Sequence, residues 1–121
     1  MEKKSILVVD DEEDVVRVLS KRLMACGYKV LTAYDGLQAM EKVKELPDLI
    51  LLDITMRDID GIEVLRQIRG ASETSEIPVI MVTGKCGSSS ILDAQDLGVV
   101  DYITKPFELE NLLALVKKHA I

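Results

Sequence analysis

Three carboxylates, one hydroxyl and one ammonium group close four short apolar runs of this chain. Asp10 and Asp11 follow Ile6-Leu7-Val8-Val9, Asp53 follows Leu49-Ile50-Leu51-Leu52, Thr83 follows Val79-Ile80-Met81-Val82, and Lys105 follows Tyr102-Ile103-Thr104. A hard cation such as Mg²⁺ takes oxygen ligands, keeps several waters, and uses one or two carboxylates together with phosphate oxygens. Three carboxylates exceed that need, and a carboxylate is also a competent nucleophile toward phosphorus, giving an aspartyl phosphate. Phosphoryl transfer asks for charge neutralisation more than for covalent help. Lys105 is the candidate cation, Thr83 the candidate donor to a phosphoryl oxygen, and Asp53 the candidate acceptor.

Such residues act together only if the fold gathers them. Short, β-branched apolar runs separated by helix-length stretches read as strands of a parallel sheet buried on both faces. In a parallel sheet every carboxyl end lies along one edge, where open α/β folds bind ligands. The intervening stretches have helical spacing. Asp14 to Cys26 turns Val15, Leu19, Leu23 and Cys26 to one face, and Gly27 ends it as a C-terminal cap. Lys29 to Ala33 is a second strand, and Gly36 to Glu45 a helix with Ala39, Met40 and Val43 inward, stopped by Pro47. Gly61 to Arg69 faces Val64, Leu65 and Ile68 inward. Ser88 to Leu97 is a weaker helix halted by Gly98, Asp101 to Thr104 is the fifth strand, and Glu108 to His119 carries Leu109, Leu112, Leu113 and Val116 on one face. Five strand–helix alternations predict a doubly wound five-stranded parallel sheet with helices on both faces and right-handed crossovers.

With 121 residues and 48% hydrophobic content, the expected organisation is one domain over 1–121. A formal charge of −6 disfavours direct binding to nucleic acid or an anionic membrane, since both are polyanions. Cys26 and Cys86 match neither a disulfide framework nor metal spacing, which makes a reducing cytoplasm the expected compartment. No apolar stretch is long enough to span a bilayer. Gly84-Lys85-Cys86-Gly87-Ser88 is glycine-rich but lacks Walker spacing, and it reads as a flexible loop with a bystander thiol. His119 sits in the last helical turn, where partial charge suits the dipole. Each site residue also has a plainer use: Asp11 to Asp14 as favourable charge at a helix start, Asp53 as a loop cap, Thr83 as a strand-end hydroxyl, Lys105 as a solvated charge. Their joint placement at strand ends favours the chemical reading.

Val-Val-Asp-Asp-Glu at 8–12, Leu-Leu-Asp at 51–53 with Asp60-Gly61 after it, Val82-Thr83, and Thr104-Lys105-Pro106-Phe107 occur in this order along the whole chain. In this the sequence resembles a receiver domain of a two-component response regulator. The resemblance implies the flavodoxin-like strand order 2-1-3-4-5, phosphorylation of Asp53 by a histidine kinase or phosphotransfer protein, and no enzyme activity beyond the domain's own phosphorylation and dephosphorylation. It implies that Asp11, Asp53 and the Thr55 backbone carbonyl ligate Mg²⁺, with Asp10 supporting the ion through water. Thr83 and Lys105 would then hold the phosphoryl group, and Tyr102 would be the switch aromatic. A downstream protein would dock on the face of the fourth helix, fifth strand and fifth helix, with the chain monomeric or dimerising on phosphorylation. A cis Lys105–Pro106 bond is also implied. Two departures stand out: Arg57 replaces the usual proline, and Leu97-Gly98-Val99-Val100 replaces a run of small and polar residues.

Two other classes use related chemistry or the same fold. A haloacid-dehalogenase-type phosphatase also forms an aspartyl phosphate, but its second Asp, two residues beyond the nucleophile, is Thr55 here. A flavodoxin-like cofactor binder needs hydroxyl and glycine residues after the first strand, where Asp10 to Asp14 would repel a phosphate. A receiver excised from a larger regulator, or one acting unphosphorylated as a scaffold, are variants of the first reading.

Overall fold

Strands carrying Val, Ile and Leu at consecutive positions must be covered on both faces, and the chain covers them with helices from both sides. The computed structural model describes residues 3–54, 56, 58–84 and 88–120. In chain order the elements are β1 Ser5–Val9, α1 Glu13–Ala25, β2 Lys29–Ala33, α2 Gly36–Val43, β3 Leu49–Asp53, α3 Gly61–Gly70, β4 Val79–Thr83, α4 Ser88–Asp96, β5 Asp101–Thr104 and α5 Leu109–His119. All neighbouring strands pair in parallel, in the order β2-β1-β3-β4-β5. The sheet is the doubly wound one expected, with the strand order that the resemblance implied.

Alternation along the strands divides the core in two. Leu7, Val9, Ile50, Leu52, Val79 and Met81 face Ala39, Val43, Val64, Leu65, Ile68 and Ala94, which come from α2, α3 and α4. Ile6, Val8, Leu49, Leu51 and Ile80 face Val16, Leu19, Leu23, Leu112 and Val116 of α1 and α5. The buried face of α1 is Val16, Leu19, Ser20 and Leu23; Val15 is half-buried at its flank, and Cys26 is exposed. Cys26 falls off that face because the helix has already ended: it is the C-cap, and Gly27 follows at φ +94°. α2 stops at Val43, short of Glu45, since Pro47 disfavours helical geometry at the residue before it and Leu46 takes φ +55°.

Register and loop ties decide what meets at the sheet edge. Val9 pairs with Leu52, Asp53 with Val82, and Thr83 with Thr104. Asp10 is therefore placed beside Asp53, and Lys105 just beyond Thr83. Beyond the strand ends the ladder continues through Asp10 N–H to Ala33 O at 3.2 Å, Ile54 N–H to Val82 O at 3.2 Å, and Lys105 N–H to Thr83 O at 2.7 Å. The Lys105–Pro106 bond is cis. Asp60 accepts from Glu63 N–H at 2.9 Å and caps α3, and Gly61 donates to Ile54 O at 2.7 Å.

Arg69 anchors the opposite end of α4. Its guanidinium donates to Leu97 O at 2.7 Å, Ser75 O at 3.2 Å, Ile77 O at 2.8 Å and Gly98 O at 3.2 Å, and burial lowers its pKa from the ordinary arginine value. These carbonyls take four of the five N–H donors that arginine presents.

Candidate functional site

Asp10, Asp53 and Thr83 are 2%, 3% and 1% exposed at the carboxyl edge of the sheet. A carboxylate withdrawn from water needs hydrogen bonds or a counter-charge. Lys105 supplies it. Its Nζ lies 2.7 Å from Asp10 Oδ2, 3.3 Å from Glu12 Oε1 and 3.5 Å from Asp53 Oδ2, with the side chain 19% exposed. The other oxygen of Asp10, Oδ1, accepts from Glu12 N–H at 2.9 Å. Both oxygens of Asp10 are thus engaged, as suits a residue that holds the site together.

Burial works against the Lys105 ammonium, but the hydrogen bond to Asp10, the charges of Asp53 and Asp10, and Glu12 outweigh it and raise the pKa above the ordinary 10.5. A raised folded value stabilises the fold in full below the unfolded value, and that stability is lost as pH climbs through the folded value. The stability difference between wild type and Lys105→Met should therefore stay level from about pH 6 to about 9 and shrink above the ordinary lysine value. Urea unfolding of both proteins across that range measures it; a difference that grew with pH would contradict the pairing.

Carboxylate oxygens of Asp10, Asp11 and Glu12 lie within 4.8 Å of one another, and Lys105 links this group to Asp53. The capping explanation does not account for them. The N-cap of α1 is Glu12, with no side-chain capping bond, and only Glu13 and Asp14 lie in the first turn. An all-oxygen, multiply charged set beside a strand-end aspartate fits a hard divalent cation. Asp11 and Glu12 also line an open cavity of about 650 Å³, together with Glu13, Asp14, Tyr34, Asp35 and Asp58. On the far side of Thr83, a small gap is bordered by Thr83, Met81, Ala94, Val99 and Tyr102, and Tyr102 itself is 46% exposed.

A family model for the response regulator receiver domain matches residues 6–117. The chain belongs to the response regulator receiver domain family. Within two-component signalling, receiver domains are signalling switches, and this one resembles several relatives along nearly its whole length. It is 44% identical over 115 residues to the alkaline phosphatase synthesis transcriptional regulatory protein PhoP of Bacillus subtilis (strain 168), a match covering 94% of this chain and 47% of that protein. The chain thus spans about half the length of this curated relative. A CheY-like receiver domain protein from Methanospirillum hungatei JF-1 superposes with a TM-score of 0.93 at 28% identity, covering 98% of this chain and 94% of that one. The phosphorylated cyanobacterial phytochrome response regulator RcpA does so with a TM-score of 0.83 at 31% identity, covering 97% and 91%.

Of the residues expected at this receiver domain's site, Asp10, Asp53 and Lys105 are in mutual contact through the ammonium, Asp11 is in the acidic group, and Thr83 stands at the adjacent strand end. Tyr102 borders the gap behind Thr83. Thr55, Arg57, Lys85 and Cys86 lie outside the described residues. Sequence reasoning did not single out Glu12, a partner of Lys105, although it directly follows the aspartate pair. It also missed Asp58, which accepts from two backbone N–H groups of α2; no local pattern announces a contact of that sequence separation. Among the described residues no helix is long and apolar enough to cross a membrane.

Proposed function

We propose that this receiver domain, taken as one unit over 1–121, is a phosphorylation-operated switch that accepts a phosphoryl group on Asp53 from a histidine kinase or phosphotransfer protein. The observation that carries this reading is the Lys105 ammonium bridging Asp10 and Asp53 at the ends of adjacent strands. A carboxylate oxygen of Asp53 forms the new bond to phosphorus while the bond from phosphorus to the donor breaks, its electron pair leaving with the donor. Lys105 then meets the added negative charge, and Thr83 donates its hydroxyl to a phosphoryl oxygen.

Mg²⁺ is the cofactor of this reading: Asp11, Asp53 and the backbone carbonyl of Thr55 would hold it, with Asp10 supporting it through water. When bound it supplies neutralisation of the phosphoryl charge. Engagement of Thr83 opens room that Tyr102 can fill, and this changes the face built by α4, β5 and α5. Val99, Val100 and Tyr102 are the contacts offered there to a downstream protein, in a monomer or a phosphorylation-dependent dimer. A ligand shifts a two-state equilibrium only by its differential affinity, and a swing from mostly inactive to mostly active takes roughly 5 kcal/mol. One hydroxyl contact is too small for that, so Lys105 and the metal share the work. No direct nucleic-acid or membrane contact is part of this function, and its expected compartment is the cytoplasm. The structural neighbour RcpA is a phosphorylated response regulator, which supports the reading.

Incubation of the protein with acetyl phosphate and Mg²⁺ tests it. One hydroxylamine-labile phosphoryl group per chain is expected by intact mass, with none when Mg²⁺ is chelated. Absence of labelling, or labelling that resists hydroxylamine, would overturn the assignment.

A further inference from the structure

We propose that Asp58 is a positioning residue for the phosphorylation site: by clamping the loop that leaves Asp53 onto the first turn of α2, it sets the affinity of the acidic pocket for Mg²⁺. The inference rests on the reading given under Proposed function and adds a residue to it.

Ile54 N–H bonds to Val82 O, and Gly61 N–H bonds to Ile54 O, which ties together the two ends of the connection from β3 to α3. Its far end is held by Asp58. Oδ1 accepts from Gly36 N–H at 2.8 Å and Oδ2 from Leu37 N–H at 3.0 Å, while the local N-cap, Asp35, accepts from Gln38 N–H at 2.8 Å. Unpartnered N–H groups at a helix start favour an anion, and a carboxylate placed on two of them is both bonded and favoured by the dipole. The backbone bonds, that of Gly36 first, hold the Asp58 carboxyl below the ordinary carboxylate value.

The approach is close by design of the sequence. A Cβ at Gly36 would lie 2.8 Å from Ile59 Cβ and 2.9 Å from Ile59 O, so only glycine admits the loop at this distance. Asp58 also shares its cavity with Asp11, Glu13 and Asp35. Like charges would push the loop away from that wall, and the two N–H groups are what hold it there. No proline stands between 54 and 60 to stiffen the segment. The clamp takes that part, and it holds Asp58 on the wall of the cavity that Asp11 also lines.

Mg²⁺ titrations followed by amide shifts, with acetyl phosphate labelling at several Mg²⁺ concentrations, test this on wild type, Asp58→Ala and Asp58→Asn. Loss of a residue that orients ligands from outside the coordination sphere costs on the order of tenfold in metal affinity. Asp58→Ala should accordingly need about three- to tenfold more Mg²⁺ for half-saturation, with slow labelling at limiting Mg²⁺ that recovers in excess. Asp58→Asn keeps one of the two acceptor oxygens without the charge, so it can hold one of the two N–H groups and should restore part of the affinity. Unchanged Mg²⁺ affinity in Asp58→Ala, with only a lower melting temperature, would overturn the proposal. Equal losses in both variants would also overturn it, by assigning the effect to charge alone. Failure of the wild type itself to bind Mg²⁺ or take up phosphate would instead sink the function on which the proposal rests.

Discussion

Asp53→Ala is expected to take up no phosphoryl group from acetyl phosphate while remaining folded. Of the three carboxylates at the sheet edge, Asp10 has both oxygens engaged, one with Glu12 N–H and one with Lys105. Asp11 lies in the acidic group that fits the cation. Asp53 ends the central strand, buried, with Lys105 at 3.5 Å ready to meet added charge. The fold survives its loss because Lys105 keeps Asp10 at 2.7 Å and the hydrophobic clusters are untouched. Intact mass after exposure to the donor gives the answer, with circular dichroism confirming the fold. Persistent labelling of the variant at the wild-type level would move the acceptor to another carboxylate.

Gly61→Ala should destabilise the domain by about 3 kcal/mol, at the upper end of overpacking costs, and lower the melting temperature by roughly 10 °C for a domain of this size. A Cβ there would lie 2.2 Å from Asp53 O and 2.7 Å from Ile54 Cα. Those are backbone atoms, so no side chain can rotate away, and relief requires moving either the start of α3 or Asp53, the proposed acceptor. Phosphorylation should fall together with stability. Gly70→Ala is the control, because a Cβ at Gly70, the last residue of α3, meets nothing within 4 Å. Exchanging a helical glycine for alanine gains up to about 1 kcal/mol. Thermal unfolding of the two variants decides the matter: similar small shifts in both would mean that the loop yields easily and that Gly61 is not needed for close approach.

The Asp60-Gly61 pair shows how these two kinds of information differ. In the sequence it is a motif fragment after Leu51-Leu52-Asp53; in the fold Asp60 caps α3, and Gly61 allows the helix start to press on the carbonyl of Asp53. The helix-one face was misread in part for a similar reason. Val15 and Cys26 fit the spacing, but the helix ends before Cys26, and packing against the sheet selects Val16. A pattern of spacing fixes a stripe to within about one residue, and the partner surface chooses among the alternatives.

The order of strands and helices, the double-sided burial of the sheet and the five residues gathered at its edge follow from local properties: β-branched runs, helical periodicity, glycine and proline stops. These are legible because each depends on residues close together in the chain. Contacts that join distant segments were decided by the tertiary structure alone. Glu12 became a partner of Lys105 across 93 residues, Asp58 a cap on α2 across 22, and Arg69 a four-carbonyl clamp reaching Gly98. Charged side chains of these kinds are common on any surface, and their role is set by which donors or acceptors the packed fold leaves unsatisfied beside them, a quantity that does not exist until the chain has closed.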